Sequence, residues 1–303
     1  MMTFQTFDAW QSVAGFLLTG ILFFVYPYIS HSSKYVSLFF WAIALLAFCA
    51  PYLVICSLDE QEYLLLRSGK MLHTLTLVLF FFCFAHREVL RQQMPYFFWF
   101  CYALALASLF EFFVIDVLFS QRYYFLDIVR PYLADEWQIV DFNFTSVINY
   151  FIKFIFLGLF FWAALQRSRF KKMVTYLTAS LVLFELIQVF VLKSYRSYDS
   201  WSSTLKNIFI LICSGLLLYR IYNNPSVTMS LYRNTYFWIC LGFIFPAISE
   251  LFLEFIFSTL YHTDISQFYS LYLFRNSSQF VGFVLLIVGV WKARYLKFLP
   301  TSY

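Results

Sequence analysis

The apolar residues of this chain fall into blocks of about 20 residues, separated by short polar stretches, along almost its whole length. Nine such blocks occur, at residues 10–29, 35–57, 70–86, 95–119, 146–166, 173–193, 205–222, 235–259 and 268–291. A helix needs about 20 apolar residues to cross the hydrocarbon core of a bilayer. The pattern therefore predicts about nine membrane-spanning segments, numbered one to nine in chain order.

Continuous apolar runs within these blocks predict helices rather than β-strands. Residues 78–82 read Val-Leu-Phe-Phe-Phe, without the alternation of apolar and polar side chains that marks a membrane β-barrel. Lipid offers no hydrogen bonds to free backbone groups, so each segment must satisfy its own peptide groups as a helix. The sequence predicts an all-α polytopic bundle in which residues 1–303 form a single transmembrane domain.

Two of the blocks bear on the count of spans. The start of block three is blurred by an apolar run at residues 64–66 and by Arg67, which leaves eight spans with a re-entrant third as the alternative. Block one follows nine residues that contain no Lys or Arg, so we expect a retained span rather than a cleaved signal peptide.

Composition agrees with a membrane protein and excludes some partners. The chain is 62% hydrophobic and 12% charged, with a mean hydropathy of +0.73, whereas soluble domains contain roughly 25% charged residues. The net charge of +5 is spread over short loops, so no nucleic-acid partner is expected. Six cysteines lie within or beside apolar blocks without a CxxC pair, which predicts packing as small apolar side chains and no metal site.

Charged residues between the blocks predict the orientation. The loops after spans one, three, five and seven, together with the C-terminal tail, contain 12 Lys and Arg, whereas the opposite loops contain eight. Ten acidic residues lie on the second side and only Glu88 lies on the first. Because Lys and Arg are enriched on the cytoplasmic side, we expect the N-terminus outside and the C-terminus inside. The expected location is a cell membrane of the bacterial inner-membrane kind.

The longest connection, residues 120–145, lies on the predicted outer side. It mixes aromatic, apolar and acidic residues around Pro131, which favours an interfacial helix or a lid.

Spans four, six and eight contain similar short strings around Glu111, Glu185 and Glu250. Each of these spans runs outward and follows a basic loop. The similarity is consistent with repeated helical hairpins followed by a single ninth helix.

Ionisable residues inside the spans are predicted to gather at one depth. Counting 1.5 Å per residue along helices of alternating direction places them in the outer half of the bilayer. The candidate site comprises Glu111, Lys153, Glu185, Gln188, Glu250, Glu254, Arg275, Asn276 and Gln279. Lys206 and Asn149 fall at the same depth. Such groups are costly in lipid, so we expect them to share an interior, with Lys153 and Arg275 as countercharges to the glutamates.

Three interpretations fit this cluster. It can be a structural ion-pair network, a ligand pocket open to the outside as in a sensor or receptor, or part of a transport or proton pathway. The chain has only eight glycines and no GxxxG pair, and Pro246 is the only proline well inside a later span. This composition favours bulky, interlocked packing over the alternating access of a carrier.

Enzyme motifs are missing from the sequence. No HExxH, GxSxG, P-loop or GxGxxG string occurs, and the four histidines lie near opposite membrane surfaces. We therefore expect neither an enzyme nor a cofactor, although a membrane-embedded transferase stays open. The favoured function is a sensory or membrane-complex subunit that binds a small ligand or a partner protein through the cluster. The alternative is a secondary transporter of a small ion or solute, proton-coupled or not. The expected partners are the lipid bilayer and a membrane or cytoplasmic protein.

Overall fold

The structure, a computed structural model, describes residues 61–114, 133, 137–139, 143–165, 168–196, 199–223, 231 and 234–293. Every regular element within those ranges is a helix. Predicted spans one and two, most of the 120–145 connection and the C-terminal tail from residue 294 lie outside the described residues. The count of nine spans and the orientation therefore stay predictions.

The helices fall on the predicted blocks. α1 (Gln61–Ala85) and α3 (Pro95–Phe113) lie on spans three and four, with the short α2 (Arg87–Gln93) between them. Span five is α4 (Phe144–Ala164), in which α-helical Phe144–Ile152 and Gly158–Ala164 flank a π-helical turn at Lys153–Leu157. Spans six to nine are α5 (Ser168–Phe190), α6 (Ser200–Tyr222), α7 (Thr235–Thr263) and α8 (Ile265–Lys292).

Five of these helices, α4 to α8, are long and apolar enough to cross a membrane. Their apolar stretches run for 21 to 26 residues, with mean hydropathy between 1.5 and 2.0. This confirms the prediction of a helical, polytopic membrane protein. α1 and α3 contain shorter apolar stretches, Leu75–Ala85 and Pro95–Glu111. α1 is one continuous helix of 25 residues, and the choice between eight and nine spans stays a prediction.

Polar residues fix where several helices begin. The Asp199 carboxylate accepts hydrogen bonds from the backbone N–H groups of Trp201 (2.9 Å) and Ser202 (3.2 Å), and so caps α6. Asp264 likewise accepts from Gln267 N–H at the start of α8, at 3.1 Å. Pro95 occupies the first turn of α3, where its missing N–H is no loss.

The helices run alternately between two ends of the bundle. Asn143, Asp199 and Asp264 lie at one end, hereafter the Asp199 end. The opposite end, hereafter the Trp291 end, contains Arg220 and Trp291. Each of α1, α3, α4, α6, α7 and α8 packs on the next, and α8 returns to α1. The described helices therefore enclose a common interior.

α5 lies outside this closed series and packs on α4 and α6. Its buried residues follow a narrow stripe, Val174, Leu181, Glu185 and Gln188, in which Glu185 and Gln188 are the polar members. The remaining faces are open, with Tyr176 71% and Phe190 75% exposed. In a membrane these faces meet lipid or another protein.

α7 and α8 approach closely through paired glycines. A Cβ added to Gly282 would lie 2.7 Å from the Gly242 carbonyl oxygen and 2.5 Å from Pro246 Cγ. The Ser278 hydroxyl donates to the Phe245 carbonyl at 2.9 Å. Small residues let helix backbones meet in this way inside a membrane. The contact fixes α8 beside the turn of α7 that precedes Glu250.

Candidate functional site

Glu250 joins three helices at the centre of the polar interior. Its Oε2 accepts a hydrogen bond from Lys206 Nζ of α6, which is also a salt bridge, and its Oε1 accepts from Gln279 Nε2 of α8. Lys206 and Glu250 are 5% and 8% exposed. Each carboxylate oxygen therefore has its own donor, as a buried charge requires.

Glu111 forms a second polar group between α1, α3 and α4. Asn149 Nδ2 donates to Glu111 Oε2 at 3.0 Å, and His73 Nδ1 lies 3.9 Å from the same oxygen. The Glu111 and His73 side chains are 19% and 21% exposed, so this part of the interior is less closed than the Glu250 pair.

Lys153 lies between these two groups. It is within electrostatic range of Glu250 and Glu111, which attract it, and of Lys206 and Arg275, which repel it. Among the described residues, none lies within hydrogen-bond or ion-pair distance of its ammonium group. Lys153 is also the first residue of the π-helical turn. Hereafter the interior charged cluster means Glu111, Asn149, Lys153, Lys206, Glu250 and Gln279.

The predicted polar turn of α8 connects to α1. Asn276 is 3% exposed, and its amide donates to the Ser68 hydroxyl at 2.6 Å. The Asn276 side-chain oxygen accepts from Arg275 at 3.0 and 3.2 Å, and the guanidinium lies 3.8 Å from the Tyr272 ring centroid. Arg275 thus adds positive potential beside the cluster, since it acts on both Lys153 and Glu250.

Glu254 lies one turn beyond Glu250, toward the Asp199 end. Both carboxylates act electrostatically on Tyr150 of α4, whose ring lies 5.9 Å from Lys206 Nζ. Glu254 is therefore a neighbour of the cluster on the same face of α7, in agreement with the i, i+4 spacing.

Glu185 and Gln188 lie elsewhere, on the inner stripe of α5 against the first turns of α6. Glu185 is fully buried, and neither of its carboxylate oxygens has a hydrogen-bond partner. The Ser202 hydroxyl lies beside it but donates to Asp199 at 2.6 Å. The structure does not bring Glu185 into contact with Lys153 or Arg275.

A layer of phenylalanine rings closes the interior below the cluster. The Phe243 ring of α7 lies 6.4, 5.7 and 6.4 Å from the ring centroids of Phe97, Phe100 and Phe161. Phe209 of α6 extends the layer at 6.4 Å from Phe161. Phe243 precedes Glu250 by seven residues, or about 10 Å toward the Trp291 end. The helix segments of this half include no charged residue. They are residues 154–164, 208–219, 235–249 and 280–291.

The sequence predicts that Lys206 and Asn149 lie at the depth of the cluster and that His73 lies near a membrane surface. It does not show which residues they contact. Lys206 is the countercharge of Glu250, a role expected for Lys153 or Arg275. The signal available for Lys206 is its pairing with Asn207 in an otherwise apolar stretch, and both residues are buried. The described residues include no group of three or more His, Cys, Asp or Glu side chains suited to a metal ion.

No protein-family model matches the chain, and no curated protein or solved structure shows significant similarity to it.

Proposed function

We propose that this chain is an integral membrane subunit that binds a small ligand in the interior charged cluster, as a sensory protein or as part of a membrane complex. The ligand enters from the Asp199 end. The observation that carries the proposal is Lys153, a cation inside the bundle to which the described residues offer no hydrogen-bond or ion-pair partner, whereas Glu250 has a donor on each oxygen. The proposed binding involves no catalytic step.

A purely structural role for the cluster explains Glu250 but not Lys153. Lys206 and Gln279 satisfy both oxygens of Glu250, so that unit is complete without a ligand. An uncompensated charge inside a membrane protein is costly and is commonly retained for function. A ligand-binding role therefore explains Lys153 better than a structural role does.

The phenylalanine layer favours a receptor over a channel or carrier. Phe97, Phe161 and Phe243 are buried, and the Phe243 ring contacts the other two, so these rings fill the described interior toward the Trp291 end. With ligand access proposed from the Asp199 end, closure at the Trp291 end suits recognition. Because Glu250 joins α6, α7 and α8, a ligand that competes for Lys206 or Gln279 would change how these helices pack, and so signal to a partner protein.

Transport is the second candidate, and the α7–α8 contact is the observation that favours it. Pro246 lies in α7 four residues before Glu250, and it packs against Gly282. A proline removes a backbone hydrogen bond and can kink a helix. Such a kink beside the charged pair could allow the phenylalanine layer to open.

Cysteine accessibility separates these candidates. Gln279→Cys probes the Glu250 group and His73→Cys probes the Glu111 group. Both are made in a background in which Cys49 and Cys56 are replaced by serine, and the four cysteines of the described residues, Cys83, Cys101, Cys213 and Cys240, are buried. A charged, membrane-impermeant methanethiosulfonate reagent should label both variants from the Asp199 side only. Labelling from both sides, in intact cells and in inside-out vesicles, would instead indicate a carrier.

Two controls make the labelling interpretable. Phe255→Cys, at a side chain that is 77% exposed on the outer surface of α7, should react poorly because lipid covers it. Lys193→Cys, at an exposed position near the Asp199 end, should react from the same side as the cluster. Failure of both cluster variants to react from either side would contradict the proposed function.

A further inference from the structure

We infer that Glu185 is a second site, separate from the interior charged cluster, and that its ligand is a proton. The Glu185 side chain holds this proton at neutral pH and is a neutral carboxylic acid within the membrane. The inference goes beyond the proposed function and does not depend on it, because Glu185 lies on α5, outside the closed series of helices.

The first step is the burial of Glu185. The residue is 0% exposed, whereas Leu183 and Ile187 on the other faces of α5 are 59% and 45% exposed. Five residues separate Glu185 from Phe190, the last residue of α5, so it lies about 8 Å from that end of the helix. The carboxyl group is therefore enclosed by protein within the apolar stretch of α5.

The second step is that no donor satisfies the carboxyl group. Neither Oε1 nor Oε2 accepts a hydrogen bond. An ionised carboxylate that is buried without a partner is far more costly than a neutral acid, and such groups neutralise instead. Glu250 of the same chain shows the contrast, since each of its oxygens has a donor and one donor is a lysine. A proton is the ligand that removes the charge of Glu185.

The third step is the direction of the neighbouring hydroxyl. Ser202 of α6 is fully buried beside Glu185, and its hydroxyl donates to Asp199 Oδ2 at 2.6 Å. The single proton of this hydroxyl is thus engaged, and Ser202 offers Glu185 only lone pairs. A protonated carboxyl group can donate to such an oxygen, whereas a carboxylate can only accept.

The charged groups near this end of α5 include no ion-pair partner of Glu185 among the described residues. The titratable groups on the elements that pack against α5 here, and on the turn that follows it, are Tyr150, Lys153, Lys193, Arg196, Asp199 and Lys206. Lys206 pairs with Glu250. Asp199 acts electrostatically on Glu185, and its negative charge adds to the cost of a second one.

A metal cation fits this site less well than a proton. Cations such as Ca²⁺ and Mg²⁺ take about six or more oxygen ligands. The part of the chain that the structure describes contains no group of three or more His, Cys, Asp or Glu side chains that could hold one. A proton needs a single oxygen, which Glu185 itself supplies.

Infrared difference spectroscopy of the full chain in liposomes tests the protonation of Glu185. The spectrum of Glu185→Gln is subtracted from that of the wild type at neutral pH. The difference should contain the C=O stretch of a carboxylic acid. The control is Glu88→Gln, at an exposed acid, whose difference should contain the two stretches of a carboxylate. Carboxylate bands in the Glu185 difference would overturn the inference, and Arg196, whose buried Nε has no hydrogen-bond partner, would be the expected counterion.

Two further samples keep this measurement decisive. Glu185→Asp retains the acid and should show a carboxylic acid band at a shifted frequency, which replaces the first difference if Glu185→Gln does not fold. Exchange of choline chloride for sodium chloride at constant ionic strength should leave the acid band unchanged. Loss of the band in sodium would make a metal cation the ligand and would overturn the proton.

Thermal unfolding in one detergent gives an independent test, because the same substitution should act differently at two sites. Glu185→Gln replaces a neutral acid with a neutral amide of the same shape, and should leave the unfolding temperature within about 2 °C. Glu250→Gln removes one partner of a buried ion pair, and should lower that temperature by about 6 °C or more. Equal losses in the two variants would mean that Glu185 is also an ionised partner, and would overturn the inference.

Discussion

At the scale of single residues, Glu250 connects three helices through its two hydrogen bonds. The carboxylate is buried, and its charge is offset by Lys206 and further satisfied by Gln279. Removing one partner of a buried ion pair costs about 3–5 kcal/mol because it leaves an uncompensated charge, whereas removing both can be nearly neutral. The pair therefore predicts a strongly non-additive response to mutation.

Glu250→Gln and Lys206→Met should each lower the free energy of unfolding by about 3–5 kcal/mol. The double variant, in which both charges are gone, should recover most of that loss. Reversible unfolding in mixed detergent micelles measures the free energy of unfolding of the two single variants and of the double variant. Glu88→Gln, an exposed acid near the Trp291 end, serves as the control and should change little. Additive losses in the double variant would contradict the pairing.

Lys153→Met should not lower the free energy of unfolding, in contrast to Lys206→Met. Because no described carboxylate lies within 4 Å of Lys153, replacing its ammonium with an apolar side chain removes a desolvation cost without breaking an ion pair. We expect the unfolding free energy of the ligand-free protein to stay the same or rise. A loss as large as that of Lys206→Met would mean that Lys153 holds a structural pair.

The depth of these residues is predictable from sequence, but their partners are not. Depth follows from the helical rise alone, so Glu111, Glu250, Lys206 and Gln279 could all be placed in one half of the bundle. Partnership also depends on which helices are neighbours and how each is rotated. For that reason Lys153 and Arg275 were equally good countercharges for Glu250, and the actual partner is Lys206. Glu185 shares the depth but lies on α5, outside the closed series of helices.

At the scale of helices, the contact between α7 and α8 is set by two glycines and a proline. Gly242 and Gly282 face each other so closely that a methyl group on Gly282 would meet a backbone oxygen at 2.7 Å. A backbone oxygen cannot relieve such a clash by a change of rotamer, as a side-chain atom can. Any larger residue must separate the helices, and with them Gln279 from Glu250.

Gly282→Ala should therefore lower the unfolding free energy by about 1–3 kcal/mol, the usual cost of overpacking. Gly215→Ala in α6 is the matched control, since nothing lies within 4 Å of the added methyl group. It should be neutral or stabilising by up to about 1 kcal/mol, because alanine is the better helix former. Thermal unfolding of the two variants in the same detergent distinguishes them. Equal effects would contradict the close contact.

Helix positions were predictable from hydropathy, whereas the irregular features within helices were not. α4 to α8 lie on spans five to nine because blocks of apolar residues determine them. The π-helical turn at Lys153–Leu157 leaves no sign in an apolar sequence, since it depends on contacts with other helices. The contact between Gly242 and Gly282 was also not predictable from the sequence, because the two glycines lie on different helices and form no GxxxG pair in either one.

At the scale of the whole molecule, the two ends of the bundle differ in charge. Among the described residues, the Trp291 end contains seven basic residues: Arg87, Arg91, Arg169, Lys171, Lys172, Arg220 and Lys292. Several of them contact aromatic rings or helix ends. Lys171 lies 4.5 Å from the Trp162 ring centroid, and Arg91 lies 4.8 Å from that of Phe98. The Asp199 end contains Asp199, Asp264 and fewer basic residues. An excess of Lys and Arg is typical of the cytoplasmic side of a membrane protein, whereas aromatic residues are enriched at both interfaces.

The Trp291 end should therefore face the cytoplasm, and the interior charged cluster should open to the opposite side. Lys172→Cys and Lys193→Cys, at exposed positions near the two ends, test this orientation. An impermeant thiol reagent should label Lys193→Cys in intact cells, and it should label Lys172→Cys only after the membrane is permeabilised. The reverse pattern would place the cluster on the cytoplasmic side, and its ligand would then have to be an intracellular solute or a lipid of the inner leaflet. Labelling from the predicted sides, together with one-sided labelling of Gln279→Cys, would agree with a receptor for a ligand that arrives from outside the cell.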